Sequence, residues 1–342
     1  MDRQAAIRHE PVRRGTRFGT HVAPPHVRAN VALIVVVALA AGWLLVGLPL
    51  MLRTSQWPIA LAWLTIVPVV LTTPIHWGLI HEGIHGQLLP SRRANERVAR
   101  ALAIGLALPF EAVRFGHLMH HRFTREPYDR PDVLDPTQSR WQRWLAYYAR
   151  LFGGLYVVEL LMPLLAFIPA SAAAAIVGRA VGSRGPFGAQ VQRLFARHAA
   201  DPERRRRTRR DWLLSLSMYG VALHLYGSCW PVLIAAMYLR GLWLSIADNL
   251  PHYRVAPDEP GRSRDFRVPR GLGVLLMNHH LHRQHHLRPT LPWIALAREA
   301  DGAGDAAPAR PGYLRAALRQ FGGLGHDDGA NPPAATATPD SA

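Results

Sequence analysis

Long apolar runs, rather than any alternation of polar and apolar positions, organise this chain. Val31 to Leu52 is the first. At 1.5 Å per residue it reaches roughly 33 Å, enough to cross a bilayer. A short polar link, Arg53-Thr54-Ser55-Gln56, leads into a second run, Trp57 to Ile80. Two spans so closely joined predict an antiparallel hairpin that returns the chain at His81 to its starting side. Leu151 to Val177, with Pro163 and Pro169 inside it, is a third run. Trp212 to Ile246 is a fourth, long enough for one tilted span with an extension or for a tight hairpin about Gly227. Val98 to Val113 is too short to span comfortably, and Arg92, Arg93, Arg97 and Arg100 lie at or before its start. It predicts a helix in the interface or packed on the bundle. The expected fold is all-α, a polytopic membrane bundle of about four spans with a cytoplasmic histidine-rich cap.

The polar segments divide the chain further. Residues 1–30 form an Arg-rich leader, with Pro24-Pro25 expected to break any helix. The run after it is too long for a signal-peptide core and ends at no small-residue cleavage site. Basic residues favour the cytoplasmic side, which places the leader there. The membrane domain is expected over 31–300, with a basic loop, 178–211, inserted. Residues 301–342 read as a short helix and a disordered tail. Trp141, Trp144, Tyr147 and Tyr148 beside Arg140, Arg143 and Arg150 are the mix expected at headgroup level. The basic loop raises a conflict. Arg204 to Arg207, Arg209 and Arg210 put it in the cytoplasm, whereas four simple spans put it outside. Either the later runs double back or the loop breaks the charge rule.

Composition supports the membrane reading. Hydrophobic residues make up 49% of the 342 and charged ones only 18%, below the roughly 25% usual in soluble domains. The net charge is +17 and every basic residue is Arg. No nucleic-acid-binding fold accompanies that charge. Cys229 is the only cysteine, which excludes an internal disulfide and any all-thiolate metal site. The 18 histidines are the anomaly.

Nine of them form a pattern. His81-Glu82-Gly83-Ile84-His85 follows the second run directly. His117-Leu118-Met119-His120-His121 and His282-Arg283-Gln284-His285-His286 share an H-x-x-H-H spacing, and His252 stands near the end of the fourth run. On a helix, positions i, i+3 and i+4 lie on one side, so each group is expected to aim its imidazoles in one direction. Imidazole is the commonest metal-binding side chain and suits iron and zinc. His224 reads as a hydrogen-bonded core residue, and His9, His21, His26, His198 and His326 as solvated loop residues. His76, about a turn inside the second span, is a candidate outer partner. H-E-x-x-H is also the zinc-protease motif, with Glu82 as its base. That chemistry would leave both H-x-x-H-H groups idle, whereas eight or nine histidines supply donors for two metal ions. A non-enzymatic metal-binding protein is the remaining class.

At these residues the chain resembles the integral-membrane fatty acid desaturase superfamily, the histidine-box non-haem di-iron enzymes. The resemblance rests on His81 to Gly86, on His117 to His121 with Asp129-Arg130-Pro131-Asp132 after it, and on Asn278 to His286 with Pro289 and Pro292-Trp293 following. Gly86 and the Pro292-Trp293 pair also resemble bacterial carotenoid ketolases of the same superfamily. The resemblance implies two iron ions held by His81, His85, His117, His120, His121, His252, His282, His285 and His286. His279 and His280 crowd the third box, and either is an alternative for one of its members. Asn249 corresponds to a family asparagine, although here only two residues separate it from His252. Asp132, Asp248 and Glu111 are candidates to orient imidazoles through their second N–H, with His280 a further candidate for that outer layer.

The implied activity is dioxygen-dependent oxidation of a lipid chain. A fatty acid desaturase is the first reading, with a carotenoid ketolase or lipid hydroxylase as the alternative. No haem domain, dinucleotide fingerprint or cysteine cluster is present to supply electrons. An external donor such as a ferredoxin and its reductase is therefore expected, with no nucleic-acid partner. The expected location is a bacterial inner membrane, with the histidine boxes facing the cytoplasm.

Overall fold

The computed structural model describes residues 24–54, 58–134, 139–269, 271–302 and 309–326. His9, His21, most of the leader and the tail beyond His326 lie outside them. The described residues are mostly helical, with loops and two short paired strands, Val133–Leu134 and Gly325–His326, so the fold is an all-α bundle. Four helices are long and apolar enough to cross a membrane: His26–Thr54, Ile59–His85, Arg140–Ala166 and Pro202–His252.

The first begins as α1 (Pro24–Gly42) and continues through a π-helical stretch, Trp43–Gly47, to Thr54. Pro25 does not break it, because proline at a helix start lacks only an N–H that would have no partner there. The chain returns through α2 (Ile59–Leu71) and α3 (Thr73–His85). Apolar side chains surround these helices, and many are exposed on the outside of the bundle, among them Leu39, Leu64 and Leu71. In a bilayer that exposure carries no hydrophobic penalty.

α4 (Arg92–Gly105) starts at Ser91, whose hydroxyl accepts from the Ala94 N–H at 3.4 Å. It packs along α3, with Ala99 so close to Gly83 that a side chain at Gly83 would collide with it. The expectation of a helix packed on the bundle holds for Val98 to Gly105. The rest of that run belongs to α5 (Phe110–Phe123), which carries the second histidine box.

The third run departs from a simple span. α6 (Arg140–Ala149) passes through a π-helical kink, Arg150–Gly154, into α7 (Leu155–Leu161). Gly153 adopts φ 102°, a left-handed conformation that glycine tolerates best. Pro163 then begins a 3-10 turn, and Pro169 ends the run before α8 (Ala170–Val181). Arg150 pairs with Asp248 at 2.6 Å, beside His252 in sequence. At the other end, the carbonyls of Leu165, Ala166 and Ile168 accept from Arg205. This segment enters and leaves on one side.

The fourth run is a hairpin. α9 (Gly188–Ala200) packs against α8 and leads into α10 (Pro202–Tyr226), whose N-cap Asp201 accepts from the Arg204 N–H at 2.9 Å. Along α10, Asp211 meets Arg100, Ser215 donates to the Ile104 carbonyl, and Tyr226 donates to the Leu44 carbonyl deep in the bundle. The chain turns at Gly227 (φ 53°) and returns as α11 (Trp230–Asn249), which ends beside the histidines. The basic segment 178–211 therefore shares a face with the histidine boxes, and the topological conflict disappears. It is also largely helical rather than a loop.

Candidate metal centre

The three histidine boxes sit at or near helix ends, on elements fixed in different ways. α3 ends at Gly86 (φ 78°), which leaves His81 and His85 in its closing turns. α5 carries His117, His120 and His121 in its last two turns. His252 lies on a 3-10 turn, Leu250–His252, after α11. The third box forms α12 (His282–Leu287), and Asp265 accepts from the Arg283 N–H at 2.8 Å and from the Gln284 N–H at 3.4 Å at its start. Such a cap satisfies N–H groups that have no partner within the helix.

The nine histidines form two adjoining clusters. His81, His85, His117, His121 and His285 each place a ring nitrogen within 4.8 Å of the others, and so do His120, His252, His282 and His286. In the first, Nε2 of His117 lies 2.9 Å from Nε2 of His85 and 3.0 Å from Nε2 of His121, which is 3.0 Å from Nε2 of His285. In the second, Nε2 of His120 lies 3.1 Å from that of His252 and 3.2 Å from that of His286, itself 3.1 Å from that of His282. The rings of His121 and His286 stack across the boundary at 4.3 Å.

Each box does not aim in one direction, as the spacing predicted. The pairs at i and i+4 (His81 and His85, His117 and His121, His282 and His286) each share a cluster, whereas the i+3 members, His120 and His285, join the opposite one. At about 100° per residue, positions i+3 and i+4 fall on either side of position i. Two metal positions flanking one helix can use both.

This arrangement fits two metal ions. Neutral imidazole has one donor nitrogen and one acceptor, so several Nε2 atoms converging near 3 Å cannot all satisfy one another. Nε2 of His81 is buried without any hydrogen-bond partner. Burial holds His117, His282, His285 and His286 well below the ordinary imidazole pKa, and neighbouring imidazoles lower them further. The neutral form that ligates a metal is thereby favoured.

The outer nitrogens separate the clusters. His120 Nδ1–H donates to Asp129 at 2.8 Å, His252 Nδ1–H donates to the Arg262 carbonyl at 2.9 Å, and His286 Nδ1 lies 3.4 Å from the Thr124 hydroxyl. Burial opposes a charge on His120, but Asp129 outweighs it and raises that pKa. Nδ1 of His121 in the first cluster, and of His282 in the second, is buried with no partner.

The expected outer layer is different. Asp132 is fully buried, but Arg125 at 2.5 Å and the Arg254 N–H at 2.7 Å occupy it. Asp248 pairs with Arg150, Asn249 donates to Gln320 Oε1 at 2.7 Å, and Glu111 pairs with Arg100 at 2.5 Å. The ring of His280 belongs to neither cluster and lies over Gly273. The three carboxylate corrections share a cause, since the abundant arginines claim Asp132, Asp248 and Glu111 first. Asp129, Asp265 and Thr124 were the residues missed. Asp129 lies in the stretch that follows the second box and was distinguishable from Asp132 only by where each side chain reached.

Other readings also change. His76 is pinned by the Leu102 carbonyl at 2.8 Å and by Arg240 at 2.7 Å, not by a clustered imidazole. His224 is exposed, and His198 is on a helix, stacked on Phe115 at 4.0 Å. His279 packs on His282 at 4.6 Å without joining either group. Glu82 accepts from the Trp293 N–H at 3.3 Å, while the Trp293 indole donates to Asn30 at 2.9 Å. The would-be protease base therefore ties the end of α3 to the chain beyond the third box.

A cavity of about 260 Å³ opens beside the clusters, with His117, His120 and His252 on its wall. Apolar helices long enough to cross a membrane thus end in two imidazole clusters that fit metal ions, beside a cavity. The fatty acid desaturase family model matches residues 55–316, and the chain belongs to that family, a family of membrane oxidoreductases known for di-iron centres. No curated protein matches the chain at a significant level.

Proposed function

We propose that this protein is a dioxygen-dependent di-iron oxidase of lipid chains, most simply a desaturase. The observation that carries this reading is the convergence of nine imidazoles into a group of five and a group of four. Bound iron would supply dioxygen activation, so that an unactivated C–H bond of the substrate can be broken. In each turnover a –CH2–CH2– unit becomes –CH=CH– and dioxygen becomes two waters. The substrate gives two hydrogens, and an external donor gives two electrons with two protons.

The chain's own residues bind and position. Asp129 and the Arg262 carbonyl hold His120 and His252 in the tautomer that presents Nε2. The cavity wall formed by Trp77, Val113, Leu155 and Met162 accepts an apolar chain and excludes water. The exposed Arg204, Arg206, Arg209 and Arg210 share the histidine face. They suit an acidic electron carrier such as a ferredoxin, steered there by charge. The same arginines support a cytoplasmic orientation for that face, in a bacterial inner membrane.

The test is lipid profiling of cells with and without the gene, paired with an iron assay on the purified protein. New double bonds that require dioxygen, together with about two irons per chain, support the desaturase. An inserted hydroxyl or keto oxygen instead identifies the ketolase or hydroxylase reading, which the Gly86 and Pro292-Trp293 resemblance favours. Iron-loaded protein that oxidises no lipid would refute both.

A further inference from the structure

The cavity beside the clusters is not purely apolar. Three carboxylates line it: Asp129, Glu159 and Asp248. Asp129 accepts from His120 and from the Arg125 N–H, and Asp248 pairs with Arg150. Glu159 lies in the same cavity as Arg150 and Asp248 and feels both charges, but no described side chain or backbone group hydrogen-bonds to its carboxyl. It stands in α7 between Val158 and Leu160, in a helix otherwise composed of Leu, Val and Tyr. An ionisable group in such a segment is costly without a role. The kink at Gly153 sets the orientation of α7, and Leu155, Glu159 and Met162, at i, i+4 and i+7, all reach the cavity. A carboxyl group thus interrupts an apolar stripe facing the substrate space.

We infer that the substrate is a hydroxyl-bearing lipid, whose hydroxyl donates to Glu159 while its hydrocarbon lies against Trp77, Leu155 and Met162. This deepens the proposed function and rests on it only in taking the cavity as the substrate site. A saturated hydrocarbon would leave the carboxyl unsatisfied, at a cost that disfavours its binding. A hydroxyl supplies the missing donor and carries no charge into the bilayer. An ammonium would add a cation beside a site built for metal cations. Because one cavity holds both Glu159 and the clustered histidines His117, His120 and His252, oxidation falls on carbons close to the hydroxyl. The reaction is the one already balanced above, with the hydroxyl unchanged.

The experiment is competition binding on the purified, iron-loaded protein, with a radiolabelled long-chain primary alcohol as probe. Unlabelled alcohol and the alkane of equal length serve as competitors. Wild type should prefer the alcohol about two- to tenfold, the span of an ordinary hydrogen bond. Glu159→Leu should erase that preference, and Glu159→Gln, whose amide oxygen still accepts, should keep part of it. Iron content and elution volume show that both variants are folded. Equal competition by alcohol and alkane in wild type, or a preference surviving in Glu159→Leu, overturns the inference. A loss of turnover in Glu159→Gln with unchanged binding selectivity also overturns it, because that pattern belongs to a proton carrier. Binding is read without turnover, so failure to find an oxidised product would count against the oxidase reading and not against this one.

Discussion

The two imidazole clusters are built by different means. The first draws four of its five members from α3 and α5, regular helices whose i, i+4 spacing aims the rings, and the described hydrogen bonds leave His121 Nδ1 without a partner. The second takes only His120 from a long helix. Its other members come from a 3-10 turn and from the short helix α12, and three of its four rings have a neighbour at the outer nitrogen. Around it Arg125, Arg254 and Arg262 all adopt positive φ, between 49° and 65°. Such conformations are strained for residues other than glycine and persist where the surroundings impose them. Arg125 reaches Asp132 and the Val255 carbonyl, and Arg262 reaches the Thr124 carbonyl at 2.7 Å. Helix periodicity supplies four of the five rings of one cluster, whereas the other depends mostly on loops cross-braced by arginine.

Removing a ligand should break both clusters most severely. His285→Ala in the first and His282→Ala in the second should each reduce lipid oxidation to background, with about one iron lost per chain by elemental analysis. Either variant keeping full iron and activity would remove that histidine from the metal centre.

Asp129→Asn sharpens the contrast, because it disturbs only the second cluster. Loss of an outer partner typically costs about 10–100-fold in metal affinity. Titration with a chelator should show one iron released early and the other held as in wild type. Release of both together would show that the clusters are not independently supported.

Asp265→Ala removes the cap of α12, which carries members of both clusters. A lost cap costs roughly 0.5–2 kcal/mol, so a fall of a few degrees in thermal midpoint should accompany weaker retention of both irons. A loss confined to one iron would contradict the shared role of α12.

The smallest effect is a pH dependence of the metal-free protein. Burial, with His85 and His120 nearby, pushes His121 down to about 2, and burial pushes His279 down to about 4. The unfolded chain protonates these rings below about 6.5 while the folded chain refuses the protons, so stability falls with acidification. His120 acts in the opposite sense, because Asp129 raises its pKa. Thermal melts from pH 7 towards pH 4 should show a declining midpoint, and Asp129→Asn should steepen the decline. A midpoint that rises on acidification would contradict this balance of signs.

Much of the architecture was legible in the chain. The runs beginning at Val31 and Trp57 become the first hairpin, and the fourth run takes one of its two anticipated forms by doubling back at Gly227. The third run misled because apolar length does not show which way a helix points. Its kink at Gly153 and the breaks at Pro163 and Pro169 return it to the side it left. At the site, H-x-x-x-H and H-x-x-H-H identified residues that the fold does bring together. The outer partners were illegible because Asp129 and Asp132 differ only in reach, and a nearby arginine decides which carboxylate remains free for a ring.

The sequence by itself determined that apolar helices would carry boxed histidines at their ends, because helix length and the 3.6-residue period are local properties of the chain. The tertiary structure alone decided how nine rings divide into five and four, which carboxylates reach them, and that Glu159 faces the cavity. Those outcomes depend on distances between segments tens to hundreds of residues apart, which no local pattern encodes.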